Sequence, residues 1–149
     1  MLGSLNKDEI NNILSSQILG RLGCTDGKKV YVVPITYTYD GHFIYGQTMP
    51  GKKIDMLRKN PAVCFEIDVM TDMRNWKSVI VYGRFEELSK QEAEKARGIL
   101  YNRIYTLETS ATIHPFEHEV SGSEAFQKKE GPIMYKIVIE EITGRFEKT

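Results

Sequence analysis

Only two cysteines occur in the 149 residues, which excludes a disulfide framework as the basis of the fold. Cys24 and Cys64 lie in apolar, strand-like runs and form no Cys-x-x-Cys pair. This pattern is typical of buried free thiols in a reducing compartment and favours the cytoplasm. A chain of this length buries enough apolar surface to fold without disulfides, so we expect a single domain over residues 1–149.

Neither sign of charge is in excess, because 20 Lys and Arg are balanced by 20 Asp and Glu. The balance argues against a broad electrostatic footprint for nucleic acid or for an anionic membrane, and it leaves room only for a local basic patch. No apolar run approaches the length of a membrane span, and the opening MLGSLNKDEI lacks the features of a signal peptide. We therefore expect a soluble cytoplasmic protein without nucleic-acid or membrane partners.

Capping residues and helical periodicity predict three short helices. Asn6 with Glu9 forms a capping box before the helix in NKDEINNILSSQ. A second helix follows the lysines at 52 and 53 and ends at Asn60-Pro61. Ser89 with Glu92 begins the third, SKQEAEKARGILYNRIY.

Two Asp-Gly dipeptides, Asp26-Gly27 and Asp40-Gly41, predict tight turns that join three strands into consecutive antiparallel hairpins. Pro34, inside the middle strand, donates no ladder hydrogen bond and should lie at an edge, at a bulge or where pairing opens. Further strands are expected in AVCFEIDV, SVIVYGRFEEL and PIMYKIVIEEITGRF. The order predicts a mainly β fold: an antiparallel split barrel of six or seven strands with short peripheral helices.

The segment FIYGQTMPGKKIDMLRKNP, residues 43–61, has the composition of a phosphate-binding turn. Thr48 offers a hydroxyl, Gly51 allows close backbone approach, and Lys52 and Lys53 supply charge where a helix begins. The alternative is a solvated loop whose lysines face water. The Gly-x4-Gly-Lys-Ser/Thr pattern of a Walker loop is absent, which argues against nucleoside-triphosphate chemistry.

The chain resembles the pyridoxamine 5′-phosphate oxidase-like FMN-binding split-barrel family. The resemblance lies in the succession LGRLGCTDGKKVYVVPITYTYDGHFIYGQTMPGKKIDMLRKNPAVCFEID, followed by WKSVIVYGRFEEL. Within that family it is most similar to the branch of nitroimidazole-resistance proteins. The carboxy-terminal IEEITGRFEKT lacks the basic and aromatic substrate signature of true pyridoxamine phosphate oxidases, which argues against vitamin B6 oxidation.

The resemblance implies an FMN site at the subunit interface of a homodimer. The strand matching VVPITY would contact the isoalloxazine edge. The turn matching GQTMPGKK would hold the phosphate, with Lys53 as the preferred charged contact. The strand matching WKSVIVYG would approach the cofactor from the partner subunit. The implied cofactor-binding residues are Val33, Pro34, Ile35, Thr36, Gln47, Thr48, Lys52, Lys53, Trp76 and Ser78.

The implied activity is that of an FMN-dependent oxidoreductase, similar to flavin reductases and nitroreductases, which passes electrons from NAD(P)H to a small oxidised acceptor. The alternative is a non-catalytic split-barrel protein that binds flavin, haem or a deazaflavin. A third reading, an oligonucleotide-binding barrel, is disfavoured by the neutral net charge.

Three other features are candidate sites. His114 and His118 are four residues apart, a spacing that could hold a metal with Glu117 or Glu119 as a third ligand. Two histidines on a polar loop are more often solvent-facing, so no metal is expected, and a flavin-contacting or substrate-lining role fits them better than a metal site. Trp76 could stack on a planar ligand, fill a dimer interface or pack in the core. Neither cysteine has a neighbouring histidine in sequence, so a thiol hydrolase is disfavoured.

Overall fold

The computed structural model describes residues 1–107 and 132–149. Seven strands lie in this part of the chain: β1 (Leu2–Ser4), β2 (Leu19–Thr25), β3 (Val30–Tyr39), β4 (Phe43–Thr48), β5 (Ala62–Asp72), β6 (Asn75–Glu87) and β7 (Ile133–Glu147). The three helices are α1 (Lys7–Ser16), α2 (Lys52–Lys59) and α3 (Lys90–Leu107).

Six of the strands close into an antiparallel barrel. The sheet order is β1-β7-β4-β3-β2-β5-β6, and β6 pairs again with β7 to complete the ring. Only β1 lies outside the barrel, on the carboxy-terminal end of β7. This architecture confirms the predicted barrel of six or seven strands with peripheral helices.

Local sequence signals account for the hairpins and for the start of α1. Gly27 and Gly41 have φ angles of 97° and 98°, the left-handed conformation that glycine adopts without steric cost. The Asn6 side chain accepts a hydrogen bond from the Glu9 N–H at 2.9 Å, and the Glu9 carboxylate accepts the Asn6 N–H at 3.2 Å. The predicted capping box is therefore confirmed.

Two helices cover opposite ends of β3. Helix α1 buries Ile13 and Leu14 in the barrel core and binds the Tyr37 hydroxyl through the Leu14 carbonyl. Helix α2 buries Ile54 and Leu57 in the same core, close to the other end of the strand. Apolar side chains of the strands fill the space between the two helices. Burial of these helical faces fixes both ends of β3, where the candidate site lies.

Within the described residues, one side of β3 is unpaired over most of its length. β3 pairs with β2 from Val30 to Thr36, whereas its ladder with β4 ends at the pair Tyr37–Gly46. Pro34 lies in the open stretch, as predicted for a residue that cannot donate to a second ladder. In the described part of the chain, no helix is both long enough and apolar enough to cross a membrane.

Candidate functional site

The end of β4 and the start of α2 form a turn whose first helical N–H groups have no side-chain cap. Gly51 is the N-cap residue of α2 and provides no side-chain cap, so the first amides of the helix receive no side-chain acceptor from it. Thr48 is 8% exposed, and its hydroxyl donates a long bond of 3.3 Å to the Met49 carbonyl. The turn thus presents backbone N–H groups and a hydroxyl near the positive end of a helix dipole.

Neither the backbone conformation at position 51 nor the described atoms around it require a glycine there. Its φ of 168° is extended backbone that any residue adopts. A Cβ at Gly51 would meet none of the described atoms within 4 Å. The space beside Gly51 is open, which is what close approach of a ligand to the backbone requires.

Lys53 is the partly buried cation of this turn. Burial lowers the pKa of its ammonium group, and the neighbouring Cys24 thiol partly opposes that effect. Among residues 1–107 and 132–149 no carboxylate forms an ion pair with Lys53. A partly desolvated ammonium with no counter-ion in the described part of the chain favours an anionic ligand, because the ligand would supply the missing charge.

Lys52 is more exposed than Lys53 and lies on a different surface of the turn. Its Nζ is 5.6 Å from the ring centroid of Tyr31, a residue at the start of β3. An open pocket of about 370 Å³ adjoins it, lined by Asp26, Gly51, Lys52, Asp55, Met56 and Lys59. The two lysines therefore place positive charge beside the end of β3 that is nearest to α2.

The open edge of β3 carries four of the residues that the resemblance implies. The Tyr37 N–H donates to the Ile18 carbonyl at 2.9 Å, so the alternation of an antiparallel ladder turns the Pro34 carbonyl and the Thr36 N–H away from β2. The side chains of Pro34 and Thr36 are exposed, Val33 is partly buried and Ile35 is buried. The edge thus offers polar backbone groups beside a small apolar surface.

The side chains of Gln47 and Thr48 lie on opposite faces of β4. Successive residues of a strand point to opposite faces, and here Thr48 is buried while Gln47 points toward α3. The Gln47 Oε1 accepts a 3.1 Å hydrogen bond from the Tyr101 hydroxyl. The Gln47 side chain therefore holds α3 on the sheet.

Trp76 and Ser78 lie on β6, separated from β3 by β2 and β5. Three interstrand steps along the barrel wall therefore separate these residues from the β3 edge of the same chain. The Trp76 Nε1 donates to the Glu147 carboxylate at 3.1 Å. Ser78 pairs with Asp68 on one side and with Arg145 on the other.

Two residues beside the basic turn were not anticipated as neighbours. Cys24 is 3% exposed, and burial raises the pKa of its thiol despite the nearby Lys53. Tyr31 lies under Lys52. Only the position of α2 relative to the β2–β3 hairpin brings these groups together, so no local sequence signal could have indicated it.

In the part of the chain that the structure describes, no group of three or more His, Cys, Asp or Glu residues could hold a metal. His114 and His118 lie outside the described residues.

A closed antiparallel barrel with an open β3 edge and a basic strand-to-helix turn defines a split-barrel protein with a candidate anion site. The protein family described as pyridoxamine 5′-phosphate oxidase matches residues 6–146. The chain therefore belongs to this family, and the resemblance found in the sequence is confirmed.

Individual relatives extend over nearly the whole chain. An uncharacterized protein of Rhizobium meliloti strain 1021 is 33% identical over 150 residues, covering 95% of this chain and 92% of its own. The crystal structure of an FAD-binding protein from Mesorhizobium loti is similar with a TM-score of 0.74 and 29% identity, covering 100% of this chain and 98% of its own. A Bacteroides thetaiotaomicron protein proposed to confer 5-nitroimidazole antibiotic resistance shares the fold, with a TM-score of 0.72, 20% identity and coverage of 98% and 87%.

Proposed function

We propose that this protein is an FMN-dependent oxidoreductase that passes electrons from a reduced nicotinamide to a small oxidised acceptor. The observation that carries the proposal is the partly buried Lys53 ammonium, which has no ion-pair partner among the described residues and lies at the uncapped start of α2. The phosphate of a flavin supplies the charge that this position lacks.

The turn fits a phosphate in several respects. Lys53 provides a charged donor, the first amides of α2 provide neutral donors, and the open space beside Gly51 admits an anion to the backbone. Thr48 adds a hydroxyl whose present bond is long. Lys52 contributes a second positive charge from the exposed side of the turn.

The β3 edge fits the polar rim of the flavin ring. Thr36 supplies an N–H donor and Pro34 a carbonyl acceptor, and about 17 Å of extended strand separates Tyr31, beside the turn, from Thr36. When bound, the flavin accepts a hydride from the nicotinamide and reduces the acceptor. The role of this chain is to hold the phosphate, to orient the ring along the strand and to polarise its edge.

We also propose that two copies of the chain complete the site. The outer face of the barrel exposes Val30, Val32 and Tyr82 by 78%, 61% and 46%, around an apolar groove of about 520 Å³. Association of two copies would cover this apolar face, and Trp76 and Ser78 of one protomer would then approach the flavin of its partner. A flavin-loaded monomer in sedimentation would contradict the shared site.

FAD is the second candidate cofactor. The Mesorhizobium loti relative is named as an FAD-binding protein. Since FAD contains the whole of FMN, the same turn could hold its riboflavin phosphate, and the 370 Å³ pocket beside Lys52 leaves room for a further group. Competition between FMN and FAD for the purified protein distinguishes the two.

A non-catalytic flavin-binding protein would share all of these features. The test is to purify the protein, record its visible absorbance, measure its thermal stability with and without added FMN, and assay oxidation of NADPH and NADH with nitroaromatic and quinone acceptors. We expect a flavin spectrum, stabilisation by FMN and flavin-dependent turnover. Binding without turnover would favour the non-catalytic alternative. Absence of both the chromophore and the stabilisation would overturn the proposal.

A further inference from the structure

A polar groove of about 840 Å³ lies between α1 and the end of the β5–β6 hairpin. Its lining residues are Glu9, Asn12, Ile13, Ser15, Ser16, Gln17, Val69, Thr71, Lys77 and Arg103. A second cavity of about 490 Å³ shares Glu9, Val69, Thr71 and Lys77 with it, so the two cavities adjoin. No residue of the basic turn contributes to either cavity.

Two cations from different elements face the groove. Lys77 extends from the exposed end of β6 and forms no ion pair within residues 1–107 and 132–149. Arg103 of α3 donates from Nη2 to the Ser15 carbonyl at 2.9 Å, which fixes its guanidinium at the groove wall. The one carboxylate of the lining, Glu9, accepts the Asn6 N–H in the capping box. Among the described lining residues, the charged groups are therefore two cations and one carboxylate.

The groove reaches the end of β3 that is remote from the lysine turn. Gln17 lines it, and the next residue, Ile18, accepts the Tyr37 N–H at 2.9 Å. Tyr37 directly follows Thr36, the last residue of the open β3 edge. One end of the groove therefore lies near the Thr36 end of β3, on the side of β2.

We propose that this groove binds the phosphate-bearing part of the reduced nicotinamide dinucleotide that donates the electrons. This inference rests on the proposed function and names the donor site for it. Lys77 and Arg103 match phosphate groups, and the hydroxyls and amides of α1 match ribose hydroxyls. Val69, which is partly buried, supplies an apolar surface for a planar ring.

The first test compares two kinds of electron donor in the anaerobic reduction of the FMN-loaded protein. NADPH and NADH carry phosphates, whereas 1-benzyl-1,4-dihydronicotinamide carries none. We expect Lys77→Ala to raise the half-saturating concentration of NADPH or NADH about tenfold, with no change for the phosphate-free donor. Lys77→Arg should retain the affinity, and Lys28→Ala, on the exposed β2–β3 turn, is the matched control.

The second test needs no turnover. Trp76 is the only tryptophan of the chain and lines the cavity that continues the groove. Its fluorescence should change on titration with NADP⁺ or NAD⁺ in the wild type, and the Lys77→Ala variant should require about tenfold more dinucleotide for the same change.

Equal affinities of wild type and Lys77→Ala for the dinucleotides would overturn the inference. An equal loss with the dinucleotides and with the phosphate-free donor would also overturn it, because such a loss would not depend on the phosphates. The outcome is separable from that of the proposed function. If the protein binds no FMN, the proposed function fails. If it binds FMN and is reduced equally well with and without Lys77, only the groove assignment fails.

Discussion

The Tyr37 hydroxyl donates a 2.7 Å hydrogen bond to the Leu14 carbonyl, joining the centre of the barrel to the helix that covers one end of it. Both residues are fully buried. The Tyr37 ring also contacts Phe65 edge to face, with centroids 5.1 Å apart. This bond fixes α1 against β3 at the end of the open edge, and α1 forms one wall of the groove that Lys77 faces.

Tyr37→Phe should destabilise the protein. The substitution keeps the ring contact and removes one buried hydrogen bond, so the free energy of unfolding should fall by about 1 kcal/mol. Urea denaturation followed by circular dichroism measures the change. Unchanged stability of the Tyr37→Phe variant would contradict the role of the Leu14 contact.

Gly46 and Gly98 should respond in opposite directions to alanine. A Cβ at Gly46 would lie 2.5 Å from the Tyr135 hydroxyl oxygen and 2.6 Å from its Cζ, in the packed core. Gly46→Ala should therefore cost about 1–3 kcal/mol. Gly98 lies inside α3 with no described atom within 4 Å of a Cβ, so Gly98→Ala should stabilise by about 0.5–1 kcal/mol. Thermal unfolding of the two variants in parallel tests the packing of β4 on β7.

The β2–β3 turn should contribute stability that acid removes. Hydrogen bonds from the Lys29 and Lys28 N–H groups lower the pKa of the Asp26 carboxyl below its ordinary value of 3.8. A carboxyl whose pKa is lowered by folding stabilises the folded state at pH values above its ordinary pKa. This stabilisation is lost as the pH falls through the folded-state pKa. Asp26→Ala should thus lower the melting temperature at neutral pH, and its difference from wild type should shrink below pH 3.8.

Asp26→Asn separates titration from hydrogen bonding at the same turn. The amide oxygen can still accept from the two N–H groups, but it carries no charge to lose. The free energy of unfolding of Asp26→Asn should therefore lack the acid-dependent change that titration of Asp26 gives the wild type. A constant difference between wild type and Asp26→Ala at all pH values would refute the assignment.

Much of the fold was predictable because its signals are local. The two Asp-Gly turns and the Asn6–Glu9 capping box depend on residues within four positions of each other, and all are present as predicted. The strand Leu2–Ser4 was not predicted, because three residues carry no periodicity and the strand exists only through pairing with β7. Its partners, Arg145 to Glu147, lie at the other end of the chain.

The site was predictable in part. The Gly-Lys-Lys turn and the Pro34 interruption are visible in sequence, and the structure places them at the α2 end and along the open edge of β3. Strand alternation shows why Gln47 and Thr48 do not share a face, and the same rule could have been applied to the sequence. The Lys53–Cys24 proximity and the Lys77–Arg103 groove depend on long-range packing, which no short motif encodes.

The central claim is that Lys53 holds the phosphate of a bound flavin. The Lys53 ammonium should be charged when the flavin binds, and burial lowers its pKa. The affinity for FMN should therefore fall as the pH rises through that pKa, because the ammonium loses its charge. Removal of the charge by Lys53→Ala should abolish this pH dependence. Lys53→Arg should preserve much of the affinity, since the guanidinium keeps the charge.

The most direct measurement is the FMN dissociation constant of the wild type, Lys53→Ala and the exposed control Lys28→Ala, obtained by quenching of flavin fluorescence. The account predicts that Lys53→Ala weakens binding by about tenfold or more, while Lys28→Ala binds as the wild type does. Equal dissociation constants for wild type and Lys53→Ala would contradict it.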